Sequence, residues 1–258
     1  MSLVLDYSIA SEYKSQSQKA RVVSEKWVAD HLYCPICGND RLCRYVANKP
    51  VADFYCEVCT ADFELKSKYV KSSHDRLNAK VVGGAYRTML ERITSLNNLN
   101  LFLLHHDKVC VTGLILVPGF FFTPSIIEKR PPLKETARRA GWVGCTIHLS
   151  GVPQIGKIEM ISNGALKNVH TVVESYQKSK RLQLDSVGER GWLMDVFLCV
   201  ERLRTEFTLS DVYAYEHELS IKYPNNKHIR PKIRQQLQML RDKGVVEFVG
   251  KGRYRRVN

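Results

Sequence analysis

The sequence predicts a mixed α/β domain with a small metal knuckle inserted in it, followed by a compact module of three helices and a β hairpin. Three observations carry this expectation. Two cysteine pairs, Cys34-Pro-Ile-Cys37 and Cys56-Glu-Val-Cys59, stand eighteen residues apart. Short apolar runs, some rich in β-branched residues, alternate with helical patterns through the first part of the chain. From Gln183 onward the pattern changes to helix, helix, helix and a glycine-rich hairpin, with basic residues concentrated near its end. The expected domains are therefore residues 1–182 and 183–258.

The first element is a helix over residues 12–32, with Val22, Val23, Trp27 and Val28 recurring at helical spacing. The cysteine pairs follow. C-x2-C-x18-C-x2-C is the spacing of a four-thiolate zinc ribbon, and four thiolates close the coordination sphere, so the Zn²⁺ expected on Cys34, Cys37, Cys56 and Cys59 is structural. Pro35, Gly38 and Asn39 provide the tight turn a knuckle needs. Strands are expected at Tyr45-Val46, at Ala52 to Tyr55 and at Asp62 to Lys66, then a basic loop from Lys68 to Lys80. A helix follows over 84–96, with Tyr86, Met89, Leu90 and Ile93 as its apolar stripe. Core strands are expected at Leu99 to Leu104 and Val109 to Val117. A long connection, Pro118 to Trp142, contains Pro124, Pro131, Pro132 and the pair Arg138-Arg139, and connections of that length are often functional. Further strands are expected at 145–149 and 157–161, and a helix at 169–182.

In the C-terminal module, residues 190–204 place Trp192, Val196, Phe197 and Val200 on one helical face. Thr208 followed by Asp211 is a capping-box variant opening a second helix. The third helix spans 226–243 and ends at Gly244, with Ile229, Ile233, Leu237 and Leu240 as its buried stripe. Residues 245–249 and 253–257 form the hairpin. That order of elements is the order of a winged helix.

Charge narrows the partner. The chain carries 39 Lys and Arg against 26 Asp and Glu, a formal net charge of +13. Eleven of those cations and only two acids lie between Lys222 and Asn258. A polyanion such as nucleic acid is the simplest partner. Lys227, His228, Arg230, Lys232, Arg234 and Gln235 crowd the start of the third helix, where a recognition helix reads base edges in the major groove. Lys251, Arg253, Arg255 and Arg256 on the hairpin are placed to meet phosphates. No basic amphipathic helix suited to a membrane surface is evident. The apolar stretch Leu99 to Phe122 is broken by charged residues, glycine and proline before it reaches membrane-spanning length. With no N-terminal signal pattern and with the other cysteines (Cys43, Cys110, Cys145 and Cys199) scattered in apolar or mixed surroundings, the expectation is a protein of a reducing cytoplasm.

A second pattern surrounds the second cysteine pair. Asp53 precedes it by three residues, and Glu64-Leu65-Lys66 follows it by five. Carboxylates on adjacent strands suit a hard cation such as Mg²⁺. Glu64 and Lys66, two apart on a strand, leave the same sheet face, so the lysine can serve the attacking water while Leu65 enters the core. Asp62 shares their parity, which leaves it open as a competing carboxylate. Such short patterns also arise on ordinary exposed strands, and the residues alone leave three readings open: a site-specific nuclease, a repair or junction nuclease, and a non-catalytic regulator built from a ribbon and a winged helix. No glycine-rich phosphate loop supports ATP dependence.

Longer strings resemble a known family. Pro50-Val-Ala-Asp53, Phe63-Glu-Leu-Lys66-Ser-Lys68, Thr136-Ala-Arg-Arg-Ala-Gly-Trp142-Val-Gly-Cys145 and Ile233 to Lys243 resemble the DpnI-like methyl-directed restriction endonucleases, over about residue 12 to the end. The resemblance implies a PD-(D/E)XK nuclease domain joined to a winged helix. It also implies Mg²⁺-dependent cleavage of double-stranded DNA at GATC sites carrying N6-methyladenine, by a monomer in a prokaryotic cytoplasm. On it, Asp53, Glu64 and Lys66 are the catalytic residues, with Asp53 and Glu64 holding Mg²⁺. Arg138, Arg139 and Trp142 contact DNA, and Trp142 matches the residue that meets the adenine methyl. Pro50 stands three residues before Asp53 rather than beside it, which changes nothing chemical because proline is no ligand.

Overall fold

The computed structural model describes residues 2–46, 52–70, 80–95, 98 and 100–257. Pro50, most of the basic loop after Tyr69, and Leu96, Asn97 and Leu99 lie outside the described residues.

The chain opens with helix α1 (Gln16–His31), two-residue strands β1 (Cys43–Arg44) and β2 (Phe54–Tyr55), and β3 (Asp62–Tyr69). Strand β4 (Lys80–Ala85) leads into α2 (Tyr86–Thr94), followed by β5 (Asn100–His106) and β6 (Val111–Val117). Next come β7 (Ile127–Lys129), β8 (Gly144–His148), β9 (Ile158–Ser162), β10 (Ala165–Leu166) and α3 (Val169–Lys180). A seven-stranded sheet runs β1-β2-β3-β5-β6-β9-β10, and a second sheet of three strands runs β4-β8-β7. Among the described residues only β3 and β5 pair in parallel, from Phe63 opposite Asn100 to Tyr69 opposite His106.

The large sheet is covered on both faces, which is why β5 and β6 read as continuous apolar runs rather than alternating ones. Phe102, Leu104, Leu114 and Leu116 face α1 and α3, packing with Val23, Trp27, Phe63, Leu65 and Tyr176. Leu101, Leu103, Ile115 and Val117 face the small sheet and α2, packing with Met89, Ile93, Cys145 and Ile147.

Several elements depart from the sequence expectation. Strand β3 runs on to Tyr69, its polar end tolerated because β2 pairs only with its first residues and leaves that edge open. The segment from Lys80 to Ala85 is a strand, so the helix expected from Gly84 begins at Tyr86. The strand's alternation is masked by Gly83, where a Cβ would stand 2.5 Å from Cys145 Sγ. The long connection holds two 3-10 turns and β7, then a finger of turns closed by Leu133 N–H donating to Trp142 C=O (2.9 Å).

The C-terminal part comprises α4 (Val187–Glu201), β11 (Glu206–Thr208), α5 (Leu209–Tyr213), α6 (Glu216–Lys222), α7 (Ile229–Asp242), β12 (Val246–Gly250) and β13 (Arg253–Arg256). The expected second helix is split into α5 and α6 at Ala214-Tyr215. Thr208 and Asp211 form the full capping box at α5. The stripe on α7 is buried as its spacing requires: Ile233, Leu237 and Leu240 are wholly enclosed and Ile229 nearly so. The three strands order β11-β13-β12.

Helix α4 is buried on nearly every side, including Arg190 and Asp195. Its Leu193, Phe197 and Val200 belong to one continuous core with Leu101, Phe121 and Leu149 of the larger domain. The Arg190 guanidinium donates to the carbonyls of Phe122 (3.1 Å), Ile93 (3.4 Å) and Leu184. Glu201 accepts from Gln154 N–H (2.8 Å), and Lys243 donates to the Arg181 carbonyl (2.7 Å).

Candidate nuclease centre, metal knuckle and nucleic-acid interface

Strands β2 and β3 are the two arms of one hairpin, paired Phe54 to Phe63 and Tyr55 to Asp62. Cys56 to Cys59 make its turn. Asp53 lies at the base of the first arm, and its backbone N–H donates to Phe63 C=O (3.0 Å). Beyond that point the side chain takes over the ladder: Leu65 N–H donates to Asp53 Oδ2 (2.7 Å). This bond holds the Asp53 carboxylate where the Glu64 and Lys66 charges reach it. Leu65 is buried, as the strand parity predicts. Burial raises the Asp53 pKa and the Glu64 and Glu25 charges add to that, against the Leu65 N–H and the Lys66 charge. Glu64 accepts an ion pair from Lys66 Nζ (2.7 Å) and a looser one from Arg92 on α2 (3.5 Å). Asp62 is occupied elsewhere, accepting from the Tyr45 hydroxyl (2.7 Å).

Two residues near this centre escaped sequence reasoning. Glu25 on α1 is buried, paired with Arg21 (2.7 Å) and Arg44, and beside Lys66 in a cleft of about 240 Å³. Its only sequence signal is an acid next to the apolar stripe of α1 with an arginine one turn earlier. Arg92 sits on α2 off the predicted stripe, and nothing local announces its partner 28 residues back.

The four cysteines converge. Sγ atoms of Cys34 and Cys59, and of Cys37 and Cys56, lie 3.6 Å apart, and all four fall within 4.8 Å of one another. A tetrahedron of sulfurs about 2.3 Å from a central ion has edges of about 3.8 Å, so the cluster has the dimensions of a metal site. The two pairs are built alike. Gly38 N–H donates to Cys34 C=O and Thr60 N–H to Cys56 C=O, with Gly38 and Thr60 both at positive φ. Burial pushes the Cys34 thiol well up. At Cys56 burial is outweighed by the Cys59 and Val58 backbone N–H groups and by neighbouring thiols, leaving its pKa lowered to about 7.

The finger after β7 carries Arg138 and Arg139 exposed at its turns. Arg139 stacks over the Trp142 ring (5.0 Å to centroid). The indole lies across Gly144, where a Cβ would come within 2.7 Å of it. Cys145 follows, and although burial is the main cause of its raised pKa, the Glu64 and Lys66 charges reach it. The finger is therefore rooted beside the acid-lysine hairpin.

On α7 the basic residues rest against aromatic and acidic neighbours. Arg230 pairs with Glu216 (2.7 Å) and covers the Tyr213 ring (5.1 Å). Arg234 donates to the Tyr213 hydroxyl (2.8 Å). Lys232 donates to Gln235 (2.8 Å) and lies over Trp192 (5.9 Å). Lys227 and His228 line an open cleft of about 620 Å³ with Trp192, Tyr223 and Asn226. Exposed pairs of this kind contribute about 0–1 kcal/mol, so they hold these side chains in place only weakly. On the hairpin, Lys251 and Arg253 are exposed and Arg255 pairs with Glu206 (2.8 Å). Arg256 is half-buried and donates to Glu201 C=O (2.9 Å), tying the hairpin to α4.

A mixed α/β domain with a metal-sized cysteine cluster, joined to a C-terminal helix-turn-helix module rich in cations, defines a DNA-binding protein of two parts. The sequence model described as DpnI, the Dam-replacing family, matches residues 1–185, and that described as DpnI_C, the Dam-replacing HTH domain, matches residues 188–256. The chain belongs to this family. Membership implies, in general terms, a methyl-dependent restriction endonuclease. Among the described residues no helix is long and apolar enough to cross a membrane.

Proposed function

We propose that the protein is a PD-(D/E)XK endonuclease that hydrolyses double-stranded DNA at GATC sites bearing N6-methyladenine, with Mg²⁺ at Asp53 and Glu64 and structural Zn²⁺ on the four cysteines. The observation that carries this is the Leu65 N–H bond to Asp53, which sets its carboxylate beside Glu64 and Lys66 on one hairpin. Two carboxylates form a hard, oxygen-only donor set suited to Mg²⁺, and four thiolates a soft one suited to Zn²⁺. Mg²⁺ in such a site supplies a Lewis acid for the phosphate and lowers the pKa of bound water. Lys66, two residues from Glu64 and ion-paired with it, would donate to the attacking water and stabilise the negative charge that develops on the phosphate. The Leu65 N–H holds Asp53 in one rotamer, so the site is assembled before substrate arrives.

The α7 cations and the Arg138-Arg139 finger offer two contacts to DNA, and Trp142 offers an apolar surface to the adenine methyl. Burying one methyl is worth about 0.8 kcal/mol, roughly fourfold in preference. Trp142→Ala is expected to lower cleavage of methylated duplex relative to nonspecific binding. Gly144→Ala should reproduce that loss with the tryptophan still present, because the new Cβ displaces the indole from its seat. Cleavage rates on unmethylated, hemimethylated and fully methylated duplexes check both, and a wild-type methyl ratio in Gly144→Ala rejects the seat. At the wing, Arg253→Glu should weaken binding to all sequences alike and reduce the salt dependence, by about one unit of slope for the lost contact and more for the reversed charge. Fluorescence titration at several salt concentrations measures it.

The deciding experiment is digestion of plasmid from methylating and non-methylating hosts. Cutting of the first alone supports the proposal. Cutting of both removes methyl dependence, and binding without cutting returns the chain to the regulator reading.

A further inference from the structure

Arg92 is the cation at the acid-lysine hairpin that the mechanism above does not use. It reaches Glu64 from a different element, α2, across a sequence gap of 28 residues. Its contact with Glu64 is 3.5 Å, against 2.7 Å for Lys66. Both side chains are largely enclosed, with 16% exposure for Arg92 and 17% for Glu64. Its Nε is buried and finds no partner among the described residues. A guanidinium has five N–H donors in a rigid fork, and a single long contact leaves most of that capacity unspent. Charge gives the same picture. Asp53 and Glu64 are balanced by Lys66 and Arg92. A divalent cation entering this group leaves two positive charges in excess, which a phosphodiester and a hydroxide would cancel.

We propose that Arg92 occupies Glu64 until a divalent cation displaces it, and that the freed guanidinium then contacts the scissile phosphate. The proposal rests on the assignment of Asp53 and Glu64 as metal ligands. Arg92 thereby competes with metal in the DNA-free protein and assists it in the complex. Removing it has opposite effects on the two steps, which a merely structural arginine would not produce.

The test uses the full chain and Mn²⁺ as probe. Without DNA, Arg92→Gln should bind Mn²⁺ about tenfold more tightly than wild type by calorimetry or electron paramagnetic resonance. At saturating metal, its cleavage rate should fall by about 10²–10³, the range for loss of one charge-stabilising donor. Arg92→Lys should recover part of the rate and return Mn²⁺ affinity towards wild type, which also controls for folding. Unchanged or weaker Mn²⁺ binding by Arg92→Gln, in a wild type that binds Mn²⁺ and loses it on Glu64→Gln, overturns the role of Arg92 alone. A wild type whose Mn²⁺ binding is indifferent to Glu64→Gln overturns the metal assignment and this inference with it.

Discussion

Asp53→Asn should abolish cleavage while leaving the protein as stable as wild type or more so. The amide keeps an acceptor oxygen for the Leu65 N–H, so the hairpin ladder survives. What it loses is a charge that burial already disfavours and that Glu64 and Glu25 oppose. Loss of a metal-binding carboxylate removes several kcal/mol of transition-state stabilisation, about a thousandfold or more in rate. Binding to DNA through α7 and the wing should persist. The measurements are cleavage in Mg²⁺, thermal melting and a gel-shift titration. Substantial cleavage by the variant rejects Asp53 as a ligand. A large fall in melting temperature would make its role structural.

The second large effect is expected at the knuckle. Cys56→Ser should remove the bound zinc and destabilise the protein. A structural Zn²⁺ contributes about 10–16 kcal/mol of apparent binding energy, and loss of one thiolate forfeits a sizeable part. A loss of about 4 kcal/mol lowers Tm by roughly 10 °C in a chain of this size. The effect should also reach chemistry below the melting point. Cys56 directly follows Tyr55, and the turn it anchors holds the two arms that align Asp53 with Leu65. Elemental analysis, calorimetry and cleavage at 25 °C check it. Wild-type protein purified without zinc, or a variant that melts as wild type does, rejects the ribbon.

Much of this architecture was legible because its signals are local. The Thr208-Asp211 box, the α7 stripe and the paired cysteine spacings depend on residues within a turn or two of one another. Leu65 could be assigned to the core from strand parity alone. What escaped depends on contacts distant in sequence. The alternation of β4 is hidden by Gly83, whose side-chain space is taken by Cys145 some sixty residues later. Arg256 read as one more wing cation, yet its guanidinium turns inward to the end of α4, a partner that parity cannot supply. Arg92 and Glu25 needed the tertiary fold to meet the hairpin. The metal-binding spacing could be read, but the ladder bond from Leu65 that gives Asp53 its orientation could not.

Helix α4 has a consequence for how such proteins diversify. It is lined on one side by the winged-helix core and on the other by Phe121, Leu149 and the carbonyls that Arg190 caps. A C-terminal module transplanted from an unrelated protein would arrive without those complementary surfaces. If the proposed DNA contacts hold, new sequence preferences would be reached by substitution on the outer face of α7, at the wing and in the Arg138-Arg139 finger, where side chains change without disturbing the seam. Inheritance of the two halves is tied together by one helix that neither can give up.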